Sequence, residues 1–212
     1  MRILIIDDHP FVRKGLLHVL HDEMGSTIIA DEAASQMEAL SFLEANRYDL
    51  VLLDVSLEGR SGLDILSWIN KERSSLPVLI ISMYPEEQYA IRAMRLGAAG
   101  YLTKHSAPAE LMSAIKQIQS CGKYISSNVS MLLANEIVAH NNSNKKPHEK
   151  LSNREFEIAR LIALGVYPRD IAESLKLSVK TINTYRSRLF KKLALRNNAE
   201  LTKYFIQNNL IS

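Results

Sequence analysis

Leu50-Val51-Leu52-Leu53-Asp54 sets four apolar residues in a row and ends them on a carboxylate. A half-buried strand alternates apolar and polar side chains. This run has no polar face, as expected of a strand covered on both sides in a parallel sheet. Four more short apolar runs share the first 120 residues with it: Ile3–Ile6, Thr27–Ala30, Val78–Ile81 and Gly100–Leu102. Amphipathic stretches near residues 10–21, 35–45, 62–72, 86–96 and 107–119 separate them, and Pro108 suits the first turn of the last. Short apolar runs alternating with amphipathic helices are the mark of βα units. The reading is an α/β fold: a doubly wound, five-stranded parallel sheet of order 2-1-3-4-5 over residues 1–120.

Beyond it the pattern changes. Residues 127–140 carry Val129, Leu132, Leu133 and Ile137 at roughly helical spacing. The stretch from His140 to Lys150 holds no large apolar side chain, so residues 121–150 read as a linker with one helix in it. Residues 151–212 read as a small all-α domain. Ser152-Asn153-Arg154-Glu155 is a capping box, Phe156, Ile158, Ala159, Leu161 and Ile162 form an apolar stripe, and Gly165 closes that helix. A short helix from Pro168 to about Leu175, a longer one from Val179 capped by Ser178, and a last one over about Ala199–Gln207 follow.

Composition narrows the possibilities. The chain has 212 residues, room for two cores, and Cys121 is its one cysteine, which excludes a disulfide framework and a thiolate zinc site. No apolar run approaches a membrane span and the chain opens directly on a strand, so a cytoplasmic protein with no membrane partner is expected. Residues 1–120 carry 11 Lys/Arg against 16 Asp/Glu, a net of −5, whereas residues 121–212 carry 15 against 7, a net of +8. Lys180 to Arg196 holds six basic residues and no acidic one, which points that end of the chain at a polyanion.

Ligands of open parallel sheets bind beyond the carboxyl ends of the strands, where the strand order switches. Here those ends carry Asp7-Asp8 after the first strand, Asp54 after the third, Ser82 after the fourth and Lys104 after the fifth. Taken singly, Asp8 would serve as a cap for the helix starting near Pro10, and a serine or lysine past a strand is ordinarily solvated. Together they make a site. Three close carboxylates call for a cation, and Mg²⁺ is the hard ion that accepts a few carboxylate oxygens and keeps waters. Asp54 can then act as a nucleophile on phosphorus, with Lys104 neutralising the transferring group and the Ser82 hydroxyl bonding it. The residues alone leave an aspartyl-nucleophile phosphatase open, although such enzymes often place a second acid two residues after a strand-one nucleophile, where this chain has His9 after Asp7-Asp8. No dinucleotide or P-loop fingerprint appears.

In the basic half, Ile171 to Leu175, Lys176 to Ser178 and Val179 onward read as helix, turn, helix. At 100° per residue Ile182, Tyr185, Leu189 and Leu193 share one face. Lys180, Thr184, Ser187 and Lys191 lie opposite, flanked by Asn183 and Arg188. Long cations suit phosphates, and short polar groups suit base edges.

Ile5-Ile6-Asp7-Asp8-His9, Leu52-Leu53-Asp54 with Gly62 eight residues on, Ile81-Ser82 and Tyr101-Leu102-Thr103-Lys104 resemble the receiver domain of two-component response regulators over residues 2 to about 119. Leu151 to Glu155, Asp170-Ile171-Ala172, Leu177 to Ile182 and Lys192-Leu193 resemble the LuxR/NarL-type output domain over about 60 residues. The resemblance implies a phosphorylation-controlled transcription regulator of the NarL/FixJ family rather than an enzyme. Its phosphoacceptor would be Asp54, with Mg²⁺ held by Asp7, Asp8, Asp54 and the backbone carbonyl of Ser56. It also implies Lys104 on the phosphoryl group, Ser82 and Tyr101 as a switch pair, a sensor histidine kinase as donor, double-stranded DNA as partner and an active homodimer. A DNA-binding regulator independent of phosphorylation stays open beside it. Glu58 and His105 stand where prolines are frequent in that family, Tyr185 replaces a frequent histidine, and Tyr167-Pro168-Arg169 departs from the usual run.

Overall fold

The computed structural model describes residues 1–57, 60–106, 108–140 and 146–211. Glu58, and the part of the expected linker at 141–145, lie outside the described residues. The chain forms two compact units, one built from Met1–Leu57 and Ser61–Met131, the other from Leu132 onward.

The first unit is a five-stranded, wholly parallel sheet, β1 (Arg2–Ile6), β2 (Ile29–Ala33), β3 (Leu50–Leu53), β4 (Val78–Ser82) and β5 (Gly100–Thr103), in the order β2-β1-β3-β4-β5. Helices α1 (Pro10–Met24), α2 (Gln36–Ala45), α3 (Gly62–Glu72), α4 (Glu86–Arg95) and α5 (Pro108–Cys121) link and cover it. Ile3 to Ile6 and Leu50 to Leu53 are at most 1% exposed, so every side chain of these runs is removed from water, whichever face it occupies. Each such Leu, Ile or Val contributes about 1.5–3 kcal/mol by burial. Ser56–Leu57 pairs with Arg60–Ser61 as a separate two-stranded sheet that the sequence pattern did not suggest.

One strand sits later than expected. Gly25–Thr27 forms a 3₁₀ turn after α1, and β2 begins at Ile29 rather than Thr27. Its second half is polar: Asp31 accepts from Arg2 and Tyr48, and Glu32 from Arg13 and Lys14. These acids are satisfied by distant side chains, so an edge strand can carry them. The Lys104–His105 peptide, like the others among the described residues, is trans.

After α5, Tyr124 bonds Glu110, and helix α6 (Ser127–His140) starts from Ser126, whose Oγ accepts from the Val129 amide. Ser126 Oγ and Asn128 Nδ2 donate to the two carboxylate oxygens of Glu86 at 2.7 and 2.8 Å, tying the start of α6 to the start of α4.

The second unit is helical: a 3₁₀ turn at Pro147–Lys150, then α7 (Asn153–Ala163), α8 (Pro168–Ser174), α9 (Val179–Leu193) and α10 (Asn198–Gln207). The capping box at Ser152 and Glu155 is complete, and Ser178 caps α9 by accepting from the Thr181 amide. Phe156, Ile158, Ile162, Ile171, Ile182, Leu189, Leu193, Leu201 and Phe205 make the core. Arg154, 8% exposed, pairs with Glu157 at 2.7 Å and donates to the Leu175 carbonyl at the end of α8. Lys176, at φ 47°, turns the chain from α8 toward α9. No helix among the described residues is long and apolar enough to cross a membrane.

Candidate functional site

The parallel topology delivers the expected convergence. β1 runs into Asp7 and Asp8, β3 into Asp54 and β5 into Lys104, and Asp7 and Asp54 are only 2% and 3% exposed. Lys104 Nζ bridges them, 2.6 Å from Asp7 Oδ2 and 2.7 Å from Asp54 Oδ2. Ligand-capable atoms of Asp7, Asp8, His9 and Asp54 all lie within 4.8 Å of one another. His9 was not singled out by the sequence pattern as a site residue. Its Nδ1 stands 2.7 Å from Asp8 Oδ1 and 3.2 Å from Asp7 Oδ1, and its adjacency to the paired aspartates was the available signal.

The helix-cap explanation of Asp8 does not hold. α1 is capped at His9 without a side-chain bond, and Pro10 fills its first turn. More telling is Asp54, whose Oδ1 is buried and has no hydrogen-bond partner. Leaving such an oxygen unpaired costs on the order of 1–3 kcal/mol or more. An orphaned carboxylate oxygen beside two further carboxylates is the oxygen-donor set that a small hard cation requires, so the residues present fit Mg²⁺.

Burial lifts the Asp54 carboxyl to about 6; Lys104 opposes this, Asp7 adds to it, and the nearby Ser56 backbone amide opposes it. Burial disfavours the Lys104 cation, but Asp54 and Asp7 together hold its pKa above the ordinary lysine value. A measurable consequence follows for the metal-free protein. The folded-state pKa of Asp54 is raised above the unfolded value of 3.8, so folding favours its protonated form. The corresponding stability is present below about pH 4 and is lost as pH rises to about 6. Asp54→Asn removes this loss, and in EDTA at pH 7 it is expected to be more stable than wild type by roughly 2–3 kcal/mol. Urea unfolding of both proteins between pH 4 and 7 checks this; parallel pH profiles would show that Asp54 carries no such penalty.

Ser82 is fully buried and Tyr101 is 1% exposed. Both address the backbone of Tyr84: Ser82 Oγ accepts from its amide at 3.2 Å, and Tyr101 Oη donates to its carbonyl at 2.8 Å. Burial pushes the Tyr101 phenol well above its usual range, opposed by a bond with Ser82. The Tyr84 ring stacks on Tyr89 at 4.8 Å, and its hydroxyl accepts from Ser56 Oγ at 3.2 Å. The two candidate switch residues therefore bond the same residue in the segment between β4 and α4.

In the second unit, Lys180, Asn183, Thr184, Ser187, Arg188 and Lys191 are all exposed along α9, while Ile182, Leu189 and Leu193 are buried and Tyr185 is half-buried. Two basic residues outside that set are engaged within the domain. Arg186 bonds Asn198 at 2.9 Å and lies over Phe190, and Lys192 pairs with Glu155 at 2.5 Å. The Thr184 hydroxyl donates to the Lys180 carbonyl. α8 begins at Tyr167 with no side-chain cap and Pro168 in its first turn.

Residues 3–116 match the family model described as response regulator receiver domain, and residues 149–205 match that of bacterial regulatory proteins, luxR family. The chain is 34% identical over 210 residues to the response regulator UvrY of Escherichia coli O6:H1, covering 99% of this chain and 95% of that protein. RcsB of Salmonella enterica serovar Typhimurium, solved on promoter rprA in the presence of phosphomimetic BeF3-, is similar with TM-score 0.63 and 25% identity, covering 96% of this chain and 97% of RcsB. A structure of two RcsB dimers bound to two parallel DNAs is similar with TM-score 0.58 and 25% identity, covering 100% and 99% of the two chains.

Proposed function

Since the chain belongs to the bacterial response regulators that join a receiver domain to a LuxR-family regulatory domain, we propose that Asp54 is its phosphoacceptor and the outer face of α9 its DNA-reading surface. The protein is a phosphorylation-controlled transcription regulator. The carrying observation is the buried, unpartnered Oδ1 of Asp54 beside the Lys104–Asp7 bridge.

Asp54 attacks the phosphorus of a histidine kinase's phosphohistidine, and the imidazole departs. Lys104 has its charge within 3 Å of Asp54 and moves from pairing carboxylates to pairing the incoming phosphoryl oxygens. Asp7, Asp8, Asp54 and the Ser56 carbonyl would hold Mg²⁺, which when bound would supply the remaining neutralisation of that group. Ser82 turns its hydroxyl from the Tyr84 amide to the phosphoryl oxygen. Tyr84, Tyr101 and the start of α4 repack, favouring a homodimer that places two α9 helices on DNA. A DNA partner puts the working protein in the cytoplasm.

The test is DNA affinity with and without phosphorylation, which is expected to rise on phosphoryl transfer in wild type. Equal affinity would leave a phosphorylation-independent DNA binder. Ser82→Ala tests the relay. Shifting a two-state balance from 1:99 to 99:1 takes roughly 5.5 kcal/mol, whereas one hydroxyl bond to a charged group contributes only about 1.5–3 kcal/mol. Ser82→Ala is therefore expected to take up phosphate at close to the wild-type rate and to dimerise more weakly. Wild-type dimerisation would place the switch elsewhere.

α9 separates positioning from reading. Lys191→Ala is expected to weaken binding about equally on all sequences and to lower the log–log salt slope by about 0.9 if it meets one phosphate, and the same holds for Lys180 and Arg188. Asn183→Ala, Thr184→Ala or Ser187→Ala is expected to cost about 1–3 kcal/mol at one base pair only. Selection on random duplexes reads both effects, and for a symmetric dimer returns half-sites about one helical turn apart. Unchanged motifs and salt slopes in all variants would take α9 out of the groove.

A further inference from the structure

The turn that carries Asp7 and Asp8 is held from outside by an ion pair between α1 and β2. Arg13, one turn into α1 and 14% exposed, donates from Nη1 to the Asp7 carbonyl at 2.6 Å. Its Nε donates to Glu32 Oε2 at 3.1 Å, and Glu32 lies next to the end of β2. Glu32 is in turn held by Lys14 at 2.8 Å.

The Asp7 carbonyl belongs to the peptide that joins Asp7 to Asp8. That unit is planar, so fixing its oxygen fixes the plane shared by both Cα atoms and the direction in which Asp8 leaves Asp7. The other groups of Asp7 are also engaged. Its amide donates to the Ala33 carbonyl, its Oδ1 accepts from the His9 amide at 2.8 Å, and its Oδ2 pairs with Lys104. Without Arg13, the carbonyl is the one group of Asp7 free to swing, and Asp8 swings with it.

We infer that Arg13, anchored by Glu32, is a positioning residue for the metal-binding carboxylates, acting on them through the Asp7–Asp8 peptide. The inference rests on the reading of this acidic cluster as a Mg²⁺ site. It gives the charged half of β2 a function in the site, since Glu32 orients a guanidinium that would otherwise have several rotamers. Groups that orient metal ligands from outside the coordination shell typically contribute roughly 10- to 100-fold in affinity.

The experiment is Mg²⁺ titration of the full-length, unphosphorylated protein by calorimetry, with thermal unfolding measured in parallel. Arg13→Gln is expected to bind Mg²⁺ about tenfold more weakly than wild type, with Arg13→Lys, which keeps the cation and loses the fork, in between. The comparison variant is Arg2→Gln. Arg2 pairs with Asp31 at 2.8 Å at the opposite end of β1, so it removes a similar β1–β2 ion pair far from the carboxylates, and its Mg²⁺ affinity is expected within twofold of wild type. Arg13→Gln binding within twofold of wild type overturns the inference, as does an equal loss in Arg2→Gln. Should Arg13→Gln not fold, Glu32→Gln decides in its place, with severalfold weaker binding expected and wild-type binding overturning. Absence of Mg²⁺ uptake by wild type overturns the metal reading itself, a result distinct from either.

Discussion

Asp54→Asn is expected to reduce phosphoryl uptake from a small phosphodonor to background, at least about a thousandfold below wild type, because it removes the nucleophile and leaves its neighbours in place. Among the described residues the two other carboxylates of the cluster are not positioned to take over. Asp7 has both oxygens engaged, Oδ2 with Lys104 and Oδ1 with the His9 amide. Asp8 sits at the end of a different strand with its Oδ1 against His9. Among the described carboxylates Asp54 alone combines a lysine-paired oxygen with a buried one that has no hydrogen-bond partner. The modified wild-type protein is expected to carry an acyl phosphate, stable to acid and cleaved by hydroxylamine. Asp8→Ala is expected to lose uptake together with its Mg²⁺ dependence. Hydroxylamine-sensitive labelling of Asp54→Asn at the wild-type level would move the acceptor to another residue. Because Asp54→Asn also removes the cost of a buried charge in the metal-free protein, lost uptake with raised stability excludes misfolding as the cause.

Much of this site is legible in the sequence for a topological reason. In a parallel sheet all carboxyl ends open on one edge, so polar residues that terminate apolar runs are neighbours wherever they fall in the chain. Asp7, Asp8, Asp54, Ser82 and Lys104 were identifiable in that way, and β1, β3, β4 and β5 because burial on both faces leaves short, largely apolar runs at Ile3–Ile6, Leu50–Leu53, Val78–Ile81 and Gly100–Leu102. β2 was misplaced for the converse reason: Asp31 and Glu32 look like loop residues until Arg2, Tyr48, Arg13 and Lys14 come round to bond them. The strand pair at Ser56–Leu57 and Arg60–Ser61 is too short to show any period. The outer face of α9 was legible because a single helix repeats itself, and its angular rule left out Arg186 and Lys192, which bond Asn198 and Glu155 within the domain. Arg13 meets Glu32 and the Asp7 carbonyl through contacts that no spacing encodes.

Gly62 is the other place where the sequence marks a residue and only the structure says why. It opens α3 after Ser61, and its amide donates to the Val55 carbonyl at 2.6 Å. A Cβ at this position would lie 1.8 Å from the Asp54 carbonyl oxygen, 2.9 Å from the Asp54 carbonyl carbon and 3.2 Å from the Val55 oxygen. All three are backbone atoms, so no side chain can rotate out of the way. Gly62→Ala must push the Asp54–Val55 peptide and the start of α3 apart by more than an ångström. Overpacking of this kind costs about 1–3 kcal/mol of stability, and a displacement of about 1 Å at a reacting group costs about a hundredfold in rate. Both losses are therefore expected together in Gly62→Ala: a lower urea midpoint and phosphoryl uptake slower by about two orders of magnitude. Gly15 provides the contrast. It lies within α1 with nothing within 4 Å of its absent Cβ, so Gly15→Ala is expected to gain about 0.5–1 kcal/mol from helix propensity and to take up phosphate at the wild-type rate. Wild-type uptake by Gly62→Ala would mean that the loop after β3 yields without moving the Asp54 carboxylate, and that its close approach to α3 serves packing alone.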